Sequence, residues 1–160
     1  MKIKTLATSG IIAALYVAVS LLVAPFGFTQ VQFRISEMFN HLVVFNKKFF
    51  FGIVLGVFVT NLFSPLGLYD LTFGVAHSII SLSITIFASK YIKGHIPRMI
   101  FNTLIFTFTM FIIAFELNLA LELPFLYTWL TVAIGEFVVL AVGIPLMSAL
   151  NKRLNFKSLI

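Results

Sequence analysis

Apolar runs long enough to cross a lipid bilayer fill most of this chain and exclude an ordinary water-soluble fold. Of its 160 residues, 61% are hydrophobic and 10% are charged, whereas a soluble domain carries about 25% charged residues. A water-soluble core of this length has no room for so much apolar surface, so we expect lipid to be the solvent. The chain has no cysteine, which excludes disulfides and thiolate metal sites.

Six apolar segments predict an all-α membrane protein with six transmembrane helices in a single integral membrane domain, residues 1–160. A spanning helix needs about 20 apolar residues, and fewer where polar groups face a protein interior. The predicted helices are 5–24, 35–46, 49–63, 71–92, 98–121 and 126–150. Because the second helix is too short alone, we expect residues 26–34 to fold over or into the protein beside it.

The basic residues support this division of the chain. Six spans place both termini and the even-numbered connections on one side of the membrane, and ten of the eleven basic residues fall there. All five acids fall on the other side or within the spans. The positive-inside rule therefore predicts that both termini are cytoplasmic. Since the positive charge is spread along the chain and forms no single patch, nucleic acid is not an expected partner.

Arg34 is the exception among the basic residues, and it stands in a polar stretch between two apolar regions. At α-helical spacing Arg34, Glu37 and His41 share one face, with Asn40 close by. One interpretation is an Arg34–Glu37 ion pair that only fixes the helix. The interpretation that we favour is a polar wall of a ligand pocket, because ionisable groups at membrane depth are costly and usually mark a pathway or a site.

Two further acids are candidates for the same site. Asp70 precedes a long apolar helix and is placed to act as its N-cap, but its loop opens on the same predicted face as Arg34, and Tyr69 beside it offers a ring for stacking. Glu136 has apolar neighbours in the last helix, where an isolated carboxylate costs several kcal/mol unless it is paired or protonated. Trp129, about two turns outward, is either an interfacial anchor or a stacking partner.

Other polar residues of the spans have simpler interpretations. Glu116 and Glu122 lie nearer the predicted outer mouth, and we expect both to be solvated, with Glu116 the deeper of the two. Asn61 and His77 are each expected to form a hydrogen bond between helices.

No pattern of an enzyme or a metal site accompanies these residues. Gly52 and Gly56 lack the following Lys-Ser/Thr of a phosphate-binding loop, the three His are far apart, and no Ser-His-Asp set is recognisable. We therefore predict no catalytic residue, no metal and no cofactor. Without ATPase machinery of its own, the chain must take the energy for any active transport from a gradient or a partner.

Small residues recur every four positions on the first helix, at Gly10, Ala14 and Ala18. Small residues at this spacing let a second helix approach closely. The approaching helix belongs either to this chain or to a separate subunit.

Together these features resemble the queuosine precursor transporter family, the substrate-binding S components of energy-coupling factor transporters. The resemblance covers nearly the whole chain, and it is carried by Gln32-Phe33-Arg34-Ile35-Ser36-Glu37, by Gly67-Leu68-Tyr69-Asp70 with Phe73-Gly74, and by Gly135-Glu136. It implies an S-component-like bundle in the cell membrane, working with a transmembrane coupling subunit and two cytoplasmic ATPase subunits. It also implies that the coupling subunit docks on Gly10, Ala14 and Ala18.

The ligand that the resemblance implies is a 7-deazaguanine base, a precursor of queuosine. A guanine-type edge presents adjacent N–H donors that suit a carboxylate, the ring suits aromatic stacking, and an aminomethyl group would add a cation for a second carboxylate. We expect Glu37, Asp70 and Glu136 to supply the acceptors and Tyr69 or Trp129 to stack. The residues expected to supply further polar contacts are Gln30, Gln32, Arg34 and Asn40.

Several alternatives stay open at this point. Two of them are an S component for another vitamin-like molecule and a self-sufficient secondary carrier. An intramembrane enzyme using Glu136, or Glu37 with His41, belongs to another class, as does a structural subunit without a ligand.

Overall fold

The computed structural model describes residues 3–24 and 32–160, and in those ranges its regular elements are all helices. The all-helical fold class is therefore confirmed for this part of the chain. The helices, in chain order, are α1 (Ile3–Leu22), α2 (Ile35–Phe45), α3 (Phe49–Asn61), α4 (Asp70–Ala88), α5 (His95–Leu121), α6 (Phe125–Leu154) and the short α7 (Phe156–Leu159).

Four of these helices are long and apolar enough to cross a membrane, namely α1, α4, α5 and α6, with 20, 19, 27 and 30 residues. The remaining two apolar helices, α2 and α3, are shorter than the roughly 20 residues that a full span needs. The chain therefore crosses the membrane more than once. Helix α4 ends at Ala88, before the predicted end at residue 92, and the chain then reverses through Gly94, whose φ of 89° suits glycine.

The first part of α2, Ile35–His41, is a 3-10 helix. Because a 3-10 helix has three residues per turn, Arg34, Glu37 and Asn40 follow one another along one edge. The predicted α-helical face of Arg34, Glu37 and His41 is therefore wrong. His41 turns away from the other two, and its imidazole Nε2 lies 2.9 Å from a backbone carbonyl oxygen of α6.

Helix α1 packs closely against α3 at two glycines. A Cβ atom at Gly52 would lie 2.8 Å from the carbonyl oxygen of Ser9, and a Cβ atom at Gly56 would lie 2.7 Å from the Cβ of Tyr16. Small residues four apart allow this approach, whereas the sequence pointed to Gly10, Ala14 and Ala18 for the approach of a helix either of this chain or of a separate subunit. The contact holds Tyr16 in the interior, where it is 3% exposed.

Gly56→Ala is expected to lower the free energy of unfolding by about 1–3 kcal/mol, because the added methyl group overfills the contact with Tyr16. Gly10→Ala is the matched control, since nothing lies within 4 Å of a Cβ atom there, and alanine is favoured over glycine in a helix by up to about 1 kcal/mol. Denaturant unfolding of both purified variants in one detergent measures the difference. Equal stability of the two variants would contradict the packing described here.

The short helix α7 closes one end of the bundle. The ring of Phe156 is 5% exposed and lies 5.3 Å from that of Phe45. The Lys4 ammonium donates a hydrogen bond of 2.8 Å to the carbonyl oxygen of Ser158. The basic residues of the described ranges other than Arg34 lie on the segments that meet here, and we call this the basic end. They are Lys4, Lys47, Lys48, Lys90, Lys93, Arg98, Lys152, Arg153 and Lys157.

Candidate ligand site

Polar side chains from four helices meet around Arg34 inside the bundle. The guanidinium Nη2 lies 3.5 Å from Asp70 Oδ1, and the two side chains are 11% and 1% exposed. Glu37, Glu116 and Glu136 are also buried and lie within electrostatic range of this guanidinium. One guanidinium thus faces four buried carboxylates, and we call these five residues the polar centre.

Glu37 is held by donors from two helices. The Tyr16 hydroxyl of α1 donates to Oε1 over 2.8 Å, and the Asn40 side-chain amide of α2 donates to Oε2. Both carboxylate oxygens therefore have a partner without Arg34, so the simple Arg34–Glu37 pair is not what the structure shows. Sequence reasoning missed Tyr16. The available signal was its position in the middle of a spanning helix, where a phenol needs a hydrogen-bond partner.

Asp70 is anchored by the loop and helix that precede it. Ser64 donates its hydroxyl to Asp70 Oδ2, and the Asn61 amide donates to the Asp70 backbone carbonyl over 2.8 Å. The chain here forms a wide π-type turn over Asp70–Gly74, with no side-chain cap. Asp70 therefore does not act as an N-cap, and the hydrogen bond expected of Asn61 goes to the backbone of this turn.

Glu116 and Glu136 stand apart because their four carboxylate oxygens have no hydrogen-bond partner within residues 3–24 and 32–160. Both residues are 0% exposed, and Glu116 lies beside Asp70. The expectation that Glu116 is solvated is wrong, because it shares the buried face of α5 with Ile113 and Leu117. These free acceptor oxygens suit a ligand that brings N–H donors. Glu122, beyond the end of that helix, is exposed as expected.

A small cavity adjoins Glu37 between α1, α2 and α3. Its volume is about 30 Å³, which is close to the share of one water molecule in the liquid. Pockets for drug-sized ligands measure about 300–1,000 Å³, so a bicyclic base fits here only if the helices move apart. The polar residues lining the cavity include Tyr16, Ser20, Arg34, Glu37, Thr60 and Asn61.

The structure does not bring the two predicted stacking rings to the polar centre. Trp129 packs against phenylalanine rings between α5 and α6, and its indole N–H donates to the Phe108 carbonyl oxygen over 3.1 Å. It lines an apolar groove of about 460 Å³ with residues such as Leu104 and Leu130. Tyr69 is 44% exposed. The predicted role of both rings stays a prediction.

The predicted glutamines flank the start of α2. Gln32 is 3% exposed with a φ of 49°, and its side-chain oxygen has no partner among the residues that the structure describes. Gln30 lies outside the described residues. Both expected interhelical contacts are present: Asn61 of α3 donates to the Asp70 carbonyl oxygen of α4, and His77 Nε2 of α4 lies 3.4 Å from the carbonyl oxygen of Phe106 in α5.

The small residues of α1 lie on its outer face. Gly10, Ala14 and Ala18 are all exposed, and nothing lies within 4 Å of a Cβ atom at Gly10. The opposite face, with Ser9 and Tyr16, makes the contact with α3. Within the described ranges, packing against another helix of this chain therefore does not use the small-residue face.

Comparison with known proteins adds a family to this geometry. The family described as QueT transporter matches residues 6–152. The queuosine precursor transporter QueT of Lactococcus lactis subsp. cremoris (strain MG1363) is 33% identical over 163 aligned residues, which cover 96% of each chain. No solved structure matches the chain.

Proposed function

Because the chain belongs to the QueT transporter family, as its sequence predicted, we propose that it is the substrate-binding subunit of a transporter that imports a queuosine precursor, a 7-deazaguanine base. It is a transporter with several passes through the cell membrane and not an enzyme. The observation that carries the proposal is the polar centre, in which four buried carboxyl groups lie within electrostatic range of Arg34 inside an apolar bundle. Such groups are costly in a membrane and are usually kept for function.

The free acceptors of the polar centre suit the hydrogen-bonding edge of a guanine-type base. Glu37 already accepts two hydrogen bonds, whereas Glu116 and Glu136 have no partner among the described residues. We assign the two adjacent N–H donors of the ligand to Glu136, with Glu37 and Asp70 as the further acceptors of the site. Arg34, Asn40 and the glutamines complete it with donors to the ring carbonyl.

The charge balance favours a ligand that carries a positive charge. Arg34 is the one cation of the polar centre, and four carboxyl groups are buried with it in a medium of low dielectric constant, where ionisation of a carboxyl group needs an opposite charge nearby. An aminomethyl group is a cation at neutral pH and compensates a further carboxylate. We therefore expect 7-aminomethyl-7-deazaguanine to bind more tightly than unsubstituted 7-deazaguanine.

The experiment that tests the proposed cargo uses the purified chain in detergent. Any retained small molecule is identified by mass, and binding of deazaguanines is compared with binding of water-soluble vitamins. Tight binding of a deazaguanine alone supports the proposal. Retention of a vitamin, with no affinity for any deazaguanine, would show that the cargo is that vitamin and would leave the proposed architecture unchanged.

We also propose that α1–α6 make six passes in one membrane domain, with the basic end in the cytoplasm. The support is the positive-inside rule, since every described basic residue except Arg34 belongs to that end. The chain contains no cysteine, so a single cysteine in place of Lys157 or Glu122 reports its side directly. Labelling of the Lys157→Cys variant, but not of Glu122→Cys, by an impermeant reagent added outside cells would overturn this orientation.

We propose further that α1 docks onto a transmembrane coupling subunit powered by two cytoplasmic ATPase subunits, as in energy-coupling factor transporters. The support is the outer face of α1, where Gly10, Ala14 and Ala18 are exposed and leave room for the backbone of a second helix. A self-sufficient carrier is the alternative, and it predicts uptake in cells that lack the other three subunits.

Ala14→Leu with Ala18→Leu is expected to weaken assembly with the coupling subunit by about tenfold or more, because the larger side chains hold the helices apart. Affinity for the deazaguanine should stay unchanged, since both positions face away from the polar centre. Ala149→Leu, at another exposed alanine, is the matched control. Copurification and ligand titration measure the two effects, and intact assembly of the double variant would contradict this docking face.

A further inference from the structure

A further cavity, of about 350 Å³, opens at the basic end between α2, α4 and α5. Three cations stand around it, Lys47, Lys90 and Arg98, while Val43 and Ile86 give it an apolar floor. The cavity is more than ten times larger than the one beside Glu37. We call it the basic groove.

No acidic side chain of the chain neutralises the basic groove. Four of the five acids belong to the polar centre, and Glu122 follows the far end of α5. Residues 1–2 and 25–31, which the structure does not describe, contain no acid. Among the described residues the salt bridge is that of Arg34 with Asp70. The three cations of the groove therefore lack an ion-pair partner on this chain's side chains.

The charged side chains of the groove also have hydrogen-bond donors left for a ligand. Arg98 donates its Nε–H to the Ile92 carbonyl oxygen over 2.8 Å, which fixes the guanidinium while its terminal nitrogens stay available. The uncharged polar residues of the groove already donate hydrogen bonds within the chain, Asn46 to an oxygen of the terminal carboxylate at Ile160 over 3.3 Å and Ser89 to the Thr85 carbonyl oxygen over 2.8 Å. What the groove requires is therefore an anion that offers several acceptor oxygens, as a phosphate group does.

We propose that the basic groove binds the phosphate of an anionic phospholipid from the surrounding bilayer. Free phosphate shares the charge but gains nothing from the apolar floor, whereas a phospholipid covers Val43 and Ile86 with its glycerol and acyl region. The groove lies where α2 and α4 end and α5 begins, which is the depth of the lipid headgroups. Basic pockets between transmembrane helices at that depth are typical headgroup sites. The inference does not depend on the proposed cargo.

The test compares two double variants that remove the same charge from the same end. Lys47→Gln with Lys90→Gln removes two cations of the groove, while Lys48→Gln with Lys93→Gln removes two exposed neighbours that do not line it. Phosphatidylglycerol or phosphatidylcholine is titrated into the full chain in detergent, and bound lipid is counted by native mass spectrometry. We expect one phosphatidylglycerol to bind in preference to phosphatidylcholine. Its affinity should fall about 30-fold in the groove variant, since each Lys near an anionic headgroup contributes roughly fivefold, and should change little in the control.

Three outcomes would overturn the proposal. Equal losses in both double variants would indicate diffuse attraction to the basic end and no site. Displacement of the lipid by an equal concentration of inorganic phosphate would indicate a phosphate site without lipid. Unchanged lipid binding in the groove variant, together with lost capture of a coupling subunit, would make the groove a protein contact. Thermal unfolding of both variants in the same detergent verifies that they are folded.

Discussion

Replacing Arg34 by methionine is expected to lower the free energy of unfolding by about 3–5 kcal/mol. The side chain is 11% exposed and sits among Asp70, Glu37, Glu116 and Glu136. Removing the single cation leaves buried carboxylates uncompensated, which costs about that much in proteins where one partner of a buried pair is lost. Methionine keeps a similar length, so a loss of packing contributes little. Denaturant unfolding in detergent measures the change.

A double-variant cycle separates this charge effect from packing. Arg34→Met combined with Asp70→Asn should regain part of the lost stability, because the amide needs no cation, while two independent sites would give additive losses. Arg153→Met, at an exposed arginine of the basic end, is the matched control and should change stability by less than about 0.5 kcal/mol. Strict additivity of the Arg34 and Asp70 changes would contradict the polar centre as a charge-compensated unit.

Glu136→Gln is expected to weaken binding of the deazaguanine about 10- to 100-fold. A hydrogen bond to a charged group contributes about 1.5–3 kcal/mol, and the glutamine side chain keeps the size but offers one acceptor where the carboxylate offers two. The same variant should be as stable as the natural chain or more stable, because it replaces a fully buried carboxylate without a partner among the described residues. Calorimetric titration and thermal unfolding of one preparation give both numbers.

Opposite changes in affinity and stability are the signature of a group kept for its ligand. Glu122→Gln is the control, since this residue is exposed, and it should alter neither quantity. Unchanged affinity in Glu136→Gln, Glu37→Gln and Asp70→Asn, each shown to be folded, would remove the proposed site. Loss of stability in Glu136→Gln without loss of affinity would give Glu136 a structural role.

Hydropathy alone predicted most of the helical framework, because lipid leaves a spanning backbone no partner but itself. The geometry of the second helix could not be predicted from hydropathy. The choice between 3.6 and three residues per turn in Ile35–His41 is made by tertiary contacts, such as that of His41 with α6 and that of Glu37 with Tyr16. A single sequence contains no record of those contacts, so the shared face of Arg34 and His41 was predicted incorrectly.

The members of the polar centre were predictable only where their chemistry conflicts with lipid. Arg34, Glu37 and Glu136 stood out as ionisable residues among apolar neighbours. Glu116 was assigned to solvent because its depth depends on how α5 is rotated about its axis, which only packing decides. The position of Trp129 could not be predicted from the sequence, because an aromatic ring in a membrane helix suits a ligand site and a groove between helices equally well.

Helix α1 links two surfaces that the sequence presents only as separate patterns. Tyr16 and Ser20 line the interior cavity from one face of α1, whereas Ala14 and Ala18 are exposed on another face of the same helix. Because both surfaces belong to one helix, we expect the proposed docking of a partner on Ala14 and Ala18 to shift the Tyr16 hydroxyl that donates to Glu37. If partner docking changes the affinity for the ligand in this way, thermodynamic reciprocity requires that the ligand change the affinity for the partner by the same factor.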